Sequence, residues 1–179
     1  MTEHPKADLR YPIGTFDFRE PVTPEQRADW VDTIAGTPSK LRASVAGLDP
    51  PRLDTPYRPG GWTVRQVVHH LPDSHLNAYT RCKLALTESH PIIKPYDEAR
   101  WAELPDSTRP IDGSLVMLDV LHERWVALLR AIPAAAFART CHHPETKTDL
   151  TIDRLVATYA WHGPHHVAHI TELRRRQGW

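Results

Sequence analysis

Histidine is concentrated in two short stretches of this sequence. HHLPDSH covers residues 69–75 and HGPHHVAH covers residues 162–169, and together they contain seven of the twelve histidines. Neutral imidazoles that converge from two segments are typical ligands of a divalent transition-metal ion. A catalytic zinc site has three protein ligands and keeps a position for water, whereas a structural site is usually closed by four. The two cysteines, Cys82 and Cys141, are too few for a structural zinc cage, so we predict an open histidine site.

The second stretch has the spacing of a helix with one buried face. At about 100° per residue, His166 lies about 40° and His162 about 80° from the centre of the apolar face. His169 lies about 100° and His165 about 140° away. His162 and His166 are also four residues apart, so one helix face can present both to one ion. This pair is therefore the best choice from periodicity, although Pro164 lies between them and is expected to kink the helix.

The first stretch leaves two ligand candidates open. His75 lies nearest the apolar stripe of its helix, and His70 lies about 110° away from it. Pro72 intervenes and is expected to bend the helix. Periodicity by itself slightly favours His75 over His70.

Several carboxylates are candidates for supporting roles. A catalytic site that activates water would also use a general base, and Asp73, Asp97 and Glu98 are the candidates. Asp97 lies in a long loop that could cover the mouth of a helical bundle, and the alternative is that it only anchors this loop. A hydrogen-bond partner should fix the tautomer of each histidine ligand, and Asp119 or Glu123 could serve.

Four segments are predicted to be helices. Capping boxes at 23–26 and 63–66 begin the first two, the second of which runs to about residue 87. Apolar residues at helical spacing predict a third helix after 112–114 and a fourth from about residue 151 nearly to the C-terminus. The GTP sequence at 36–38 is expected to interrupt the first helix with a kink.

The remaining segments connect these helices within one domain, 1–179. Residues 1–22 are predicted to form an extended arm, and residues 88–113 a long connection between the second and third helices. Long helices without strand-like alternation predict an all-α fold, a four-helix bundle over residues 23–179. Bundles of this kind build metal sites from side chains that project inward from facing helices.

Composition excludes several classes of partner. Lys+Arg and Asp+Glu both number 22, so the basic surplus expected of a nucleic-acid-binding protein is absent. No stretch approaches the ~20 apolar residues of a membrane span, which predicts no membrane partner. The N-terminal residues do not resemble a signal peptide, and the cysteines form no disulfide framework, so we expect a cytoplasmic protein.

Several sequence blocks, in the same order, resemble one family. YPIGTFDFRE at 11–20 and the longer stretches at 54–77, 94–104, 121–130 and 159–179 are similar to YfiT-like metal-dependent hydrolases of the DinB superfamily. The similarity runs nearly from end to end of the chain. It implies a four-helix bundle, and members of the group tend to form homodimers.

The resemblance also implies a ligand set. It places one divalent ion per chain, zinc or nickel, on three histidines, with water completing the coordination. The family's first ligand precedes the leucine of the HHL block and corresponds to His70. The other two correspond to His162 and His166, in agreement with the periodicity. His75 remains the alternative first ligand.

Three functions are compatible with such a site. The first is a hydrolase, in which the ion activates water against a small substrate. The second, implied by related branches of the superfamily, is an S-transferase or isomerase that binds a low-molecular-weight thiol at the metal. The third is a non-enzymatic metal-binding bundle, favoured if Trp101, Trp161 and Tyr159 sealed the pocket. We favour the hydrolase.

Overall fold

The structure, a computed structural model, describes residues 8–179, so the first seven residues of the predicted arm lie outside the described part. Its α-helices and β-strands, in chain order, are α1 (Pro24–Val45), α2 (Pro50–Leu53), α3 (Val64–Thr87), α4 (Glu98–Trp101), α5 (Asp112–Ala131), β1 (Thr140–His143), β2 (Thr148–Thr151) and α6 (Ile152–Gln177). The long helices α1, α3, α5 and α6 form a bundle. The predicted all-α, four-helix class is therefore confirmed.

The order of the helices around the bundle differs from their order along the chain. Helix α1 packs against α5 and α6, and α3 packs against the same two helices. The consecutive long helices α1 and α3 consequently lie diagonally opposite each other. Side chains from α3, α5 and α6 can therefore meet in the interior, next to α1.

The ends of the long helices follow from local sequence. Thr23 and Gln26 form the predicted capping box of α1, with hydrogen bonds of 3.2 and 2.9 Å. Thr63 and Gln66 do the same for α3, at 3.1 and 2.9 Å. Helix α5 begins at Asp112, earlier than predicted, and has no side-chain cap.

The first helix does not break at residues 36–38, because α1 is continuous through them. Pro38 has no N–H to donate to the carbonyl of Ile34, four residues earlier. That carbonyl instead accepts a hydrogen bond of 2.7 Å from His122 Nδ1, on α5. Because the buried oxygen has a partner, the helix tolerates the proline without breaking. Pro72 and Pro164 also lie inside continuous helices.

A two-stranded antiparallel hairpin, β1 and β2, precedes α6 and was not predicted from the sequence. Its strands have four residues each, too few for alternation to be recognised. The connection after α3 is bonded to this hairpin, since His142 N donates to Pro91 O at 2.8 Å and Ile93 N donates to His142 O at 3.0 Å.

Apolar side chains fill the bundle in two clusters along its axis. The first includes Val31, Ala78, Cys82, Trp125 and Tyr159. The second includes Leu41, Val68, Leu71, Leu118 and Ile170. Along α3, α5 and α6, the junction of the two clusters is occupied by histidines, which we call the histidine layer: His70, His75, His122, His162 and His166.

Helices α1 and α6 approach each other closely beside this layer. A Cβ atom at Gly163 would lie 2.7 Å from both Cγ2 and Oγ1 of Thr37. Glycine is therefore required here by the close approach of the helices. None of the helices described for residues 8–179 combines the length and apolar character needed to cross a bilayer.

Candidate metal centre

Three histidines from two facing helices converge in the histidine layer. His70 is on α3, and His162 and His166 lie one turn apart on α6. One ring nitrogen from each falls within 4.8 Å of the others. His70 Nε2 and His162 Nε2 are 3.2 Å apart. We call these three residues the histidine triad.

The geometry of the triad fits a transition-metal ion. With metal–nitrogen bonds of about 2.0–2.1 Å, two neighbouring ligands of a tetrahedral ion lie roughly 3.3 Å apart. The two Nε2 atoms are at nearly this separation. Among the described residues, 8–179, the buried Nδ1 atom of His166 finds no hydrogen-bond partner, so this triad ring keeps an unsatisfied nitrogen.

Burial keeps the triad in the form that binds metals. Desolvation lowers the pKa of His70 to about 4. Desolvation also lowers the pKa of His162 and His166 well below the usual range, and the neighbouring histidines lower them further. The rings are therefore neutral near pH 7, as a metal ligand must be.

His75, the first-ligand candidate that periodicity slightly favoured, is not part of the triad. Its side chain is fully buried behind His162, and its Nε2 lies 3.2 Å from His162 Nδ1. On its other side, His75 Nδ1 lies 2.8 Å from His122 Nε2. The structure thus brings His70 together with His162 and His166, and places His75 next to them on the side away from His70.

A cavity of about 700 Å³ opens over the triad. Its walls include Trp62, Tyr159 and Arg81, together with Arg10 and Tyr11 of the N-terminal arm. The arm is held against α6, since His169 Nε2 lies 3.1 Å from Arg10 O and Trp161 Nε1 donates to Gly14 O at 3.3 Å. Residues of the arm therefore help to form the site.

The three aromatic residues whose closure of the pocket would have favoured a non-enzymatic bundle do not seal it. Trp101 and Trp161 are not among the residues that line the cavity, and only Tyr159 is. Trp62 lies against the triad instead, with ring centroids 4.7 Å from His70 and 6.3 Å from His166. An open cavity above three nitrogen donors gives a small molecule access to the site.

The three carboxylates proposed as general bases are separated by the fold. Only Glu98 lines the cavity. Asp97 caps α4, and its Oδ1 accepts from Arg100 N at 3.0 Å. Asp73 does not line the cavity, and burial and the nearby charge of Asp106 raise its pKa to about 6.

The carboxylates proposed as partners of the ligands do not contact the triad. Asp119 forms an ion pair with Arg42 on the outside of the bundle. Glu123 is exposed and lines a surface groove together with Asp119. The partner of His162 is His75, backed by His122. His122 was not predicted to contribute to the site, although its place within the apolar stripe of its helix indicates a buried histidine.

A helical bundle with three inward-facing histidines beneath an open cavity defines a class of metal-site proteins. The family model described as the DinB superfamily matches residues 33–170 of this chain. The chain belongs to the DinB superfamily.

Proteins of the genus Bacillus are similar over nearly the whole length. One from Bacillus cereus strain B4264, named "Putative metal-dependent hydrolase", is 56% identical over 173 residues, which are 96% of this chain and 99% of that protein. One from Bacillus thuringiensis subsp. konkukian strain 97-27 with the same descriptive name is 54% identical over 172 residues, with the same two coverages of 96% and 99%.

A solved structure shares the fold. YfiT from Bacillus subtilis, described as a probable metal-dependent hydrolase with an unusual four-helix bundle topology, superposes with a TM-score of 0.94 at 50% identity. The similarity covers 97% of this chain and 99% of that chain. The resemblance to YfiT-like proteins noted in the sequence is therefore confirmed.

Proposed function

We propose that this protein is a metal-dependent hydrolase of a small molecule. The observation that carries the proposal is the convergence of three histidine nitrogens within 4.8 Å at the base of an open cavity of about 700 Å³. Three ligands leave coordination positions free on the cavity side, which is the pattern of catalytic rather than structural metal sites.

His70, His162 and His166 would hold one divalent ion, for which three imidazoles favour zinc or nickel. When bound, the ion would act as a Lewis acid, making water more nucleophilic near pH 7 and polarising a carbonyl group. The histidines themselves would orient the ion, and Trp62, whose ring centroid is 4.7 Å from that of His70, would help to hold the ring of His70 in place.

Glu98 is the carboxylate that we propose as the general base. It lies in the first turn of α4 and lines the cavity, unlike Asp73 and Asp97. From this wall it could accept a proton from water as that water attacks a substrate in the cavity. The segment 95–98 would thereby both anchor the long connection and supply a reacting group.

The first test is metal analysis of the purified protein beside two variants. We expect one ion per chain in the wild type and loss of the stoichiometric ion in His162→Ala, with most of the helix content retained. His169→Ala is the matched control, since His169 is a buried histidine of the same helix that is not in the triad. If His162→Ala holds one ion with unchanged affinity, the ligand assignment is wrong.

The second test concerns the reaction. The metal-loaded protein should hydrolyse members of an ester and amide panel, and His162→Ala should not. X-ray absorption with and without a low-molecular-weight thiol distinguishes the alternative. A sulfur shell that appears on the metal with the thiol, without hydrolysis of the panel, would replace the hydrolase by a thiol S-transferase.

A further inference from the structure

We propose that His75, His122 and the carbonyl of Ile34 form a directed hydrogen-bond chain that keeps Nε2 of His162 free of a proton. The chain crosses the bundle from α1 through α5 and α3 to α6. His75 and His122 are in this view positioning residues for the metal ligand. The proposal deepens the metal-dependent function, because it concerns how one of the proposed ligands is prepared.

The direction of the hydrogen-bond chain is determined at its Ile34 end. A carbonyl oxygen only accepts hydrogen bonds, so His122 Nδ1, at 2.7 Å from it, must carry a proton. A neutral imidazole has one N–H, which leaves His122 Nε2 as an acceptor. His75 Nδ1, at 2.8 Å from that nitrogen, must then be the donor.

The hydrogen-bond chain continues from His75 to the triad. His75 Nε2 has become an acceptor, and His162 Nδ1 lies 3.2 Å from it and donates. His162 Nε2 therefore presents a lone pair, at the position 3.2 Å from His70 Nε2. Histidine in water prefers the other tautomer, with the proton on Nε2, so three consecutive rings protonated on Nδ1 need a structural cause.

Pro38 supplies that cause. In an ordinary helix the N–H of residue 38 would bond to the carbonyl of Ile34, but proline has none. The carbonyl lies in a fully buried part of α1, where an unpaired acceptor is unfavourable. His122 is 1% exposed, and this burial favours the neutral imidazole, whose Nε2 can accept the hydrogen bond from His75.

The decisive experiment is nitrogen-15 NMR of histidine in the metal-free full-length protein. Long-range proton–nitrogen correlations report which ring nitrogen carries the proton. We expect Nδ1–H for His122, His75 and His162. A dominant Nε2–H form of His162 in the wild type would overturn the proposal, and this result needs neither a variant nor activity.

A variant tests the consequence for the ligand. His122→Phe fills a similar volume but removes the acceptor of His75, so His162 should become a mixture of tautomers. We expect metal affinity to fall about 10–100-fold, the usual effect of losing a group that orients a ligand. Leu129→Ala is the control for lost core packing, since Leu129 is buried on the same helix in the Trp125 cluster.

The two readouts separate this proposal from the function on which it rests. Unchanged tautomers and affinity in His122→Phe would reject the positioning role, even if the metal and the hydrolysis are as proposed. Failure of hydrolysis would leave the tautomer result intact. If His122→Phe does not fold, the wild-type spectrum alone decides.

A different observation points to the substrate, and we infer that Arg81 binds an anionic group of it. Arg81 lines the cavity from α3, and its buried Nε has no hydrogen-bond partner in the part of the chain that the structure describes. Within residues 8–179, no carboxylate oxygen lies within 4.0 Å of its guanidinium, and its contact with Lys94 O is long, at 3.5 Å.

The position of this charge suits a carboxylate group bound in the same cavity as the triad. Burial raises the pKa of both Tyr96 and Tyr159, two residues of the cavity wall, and the positive charge of Arg81 opposes this in each case. A guanidinium without a carboxylate partner pairs well with a planar carboxylate. Resting on the proposed function, the inferred substrate is a small acyl compound that also carries a carboxylate.

Binding of benzoate and benzamide to the metal-free protein tests this inference without catalysis. NMR titration should show benzoate binding that weakens at least 10-fold in Arg81→Gln, whereas neutral benzamide should be insensitive to the change. Arg124→Gln, on the neighbouring helix α5 and away from the cavity lining, is the control. Equal binding of benzoate to the wild type and Arg81→Gln would overturn the inference, as would absence of benzoate binding.

Discussion

At the scale of single residues, the site combines neutral donors with separated carboxylates. Five histidines share one layer of the bundle, and desolvation favours their neutral form. The acidic groups lie elsewhere, with Glu98 at the cavity wall and Asp97 one residue away in a capping position. Two adjacent carboxylates therefore have different environments, and this difference can be measured.

Substitution of these two carboxylates should affect different properties, activity for Glu98 and stability for Asp97. Glu98→Gln should lower kcat/KM by about 10²–10⁴, because it removes the proposed proton acceptor, and leave the urea midpoint unchanged. Asp97→Ala removes an N-cap, and we expect it to cost about 1 kcal/mol of stability while metal binding is retained. Steady-state kinetics and urea unfolding check both.

Each member of this pair is the control for the other. A large loss of activity in Asp97→Ala with full activity in Glu98→Gln would assign the base to Asp97. Full activity in both variants would remove both from the reaction.

At the scale of elements, the site depends on how closely α1 and α6 pack. Gly163 adjoins His162, and the helix surface opposite it is formed by Thr37, which precedes Pro38. The contact between Gly163 and Thr37 thus determines how deeply the proposed ligand His162 lies in the bundle. It also places the carbonyl of Ile34 near α5. A disturbance of the α1–α6 contact should therefore affect both.

Gly163→Ala should destabilise the protein by about 1–3 kcal/mol, because the new methyl group would overlap Thr37 side-chain atoms at 2.7 Å. Urea unfolding of the metal-free protein measures the change. Thr37→Ala removes the two atoms that clash, so the double variant should recover part of the loss. Strictly additive effects of the two substitutions would contradict the proposed contact.

At the scale of the whole molecule, buried neutral histidines link stability to pH. Burial lowers the pKa of His122 from its ordinary value of 6.5 to about 4. Between these values the unfolded chain binds protons that the folded chain does not, so acid favours unfolding. Asp73 has the opposite sign, since its pKa is raised to about 6, but it is one group against several histidines.

The stability of the metal-free protein should therefore fall as pH decreases from about 6.5 to about 4. A single histidine shifted like His122 costs about 3 kcal/mol at the acid end. Urea unfolding at several pH values measures the dependence, and His122→Phe should make it shallower. Constant stability between pH 6.5 and 4.5 would show that folding does not lower the pKa values of the buried histidines.

Metal binding should stabilise the folded chain as a whole, because the three ligands come together only in the folded state. At a free ion concentration 100 times Kd, the gain is about 2.7 kcal/mol. Thermal unfolding with added zinc or nickel measures it. The same ion should leave the transition of His162→Ala unchanged, and an equal shift in that variant would contradict the ligand assignment.

The sequence by itself determined the local features of this protein. The capping boxes at Thr23 and Thr63 and the helical spacing of apolar residues fixed the class and most helix boundaries, since these depend on neighbours a few residues apart. The pairing of His162 with His166 also followed from spacing within one turn. These interactions form within a single helix and do not depend on how that helix packs against others.

The tertiary structure decided which faces meet. Periodicity gives the direction of His70 and His75 around their own helix, but only the packing of α3 against α5 and α6 places one in the triad and the other behind it. The continuity of α1 through Pro38 depends on His122, 88 residues away from Ile34. Contacts of this separation in sequence arise only when helices pack, because the free energy of a buried polar group depends on every element around it.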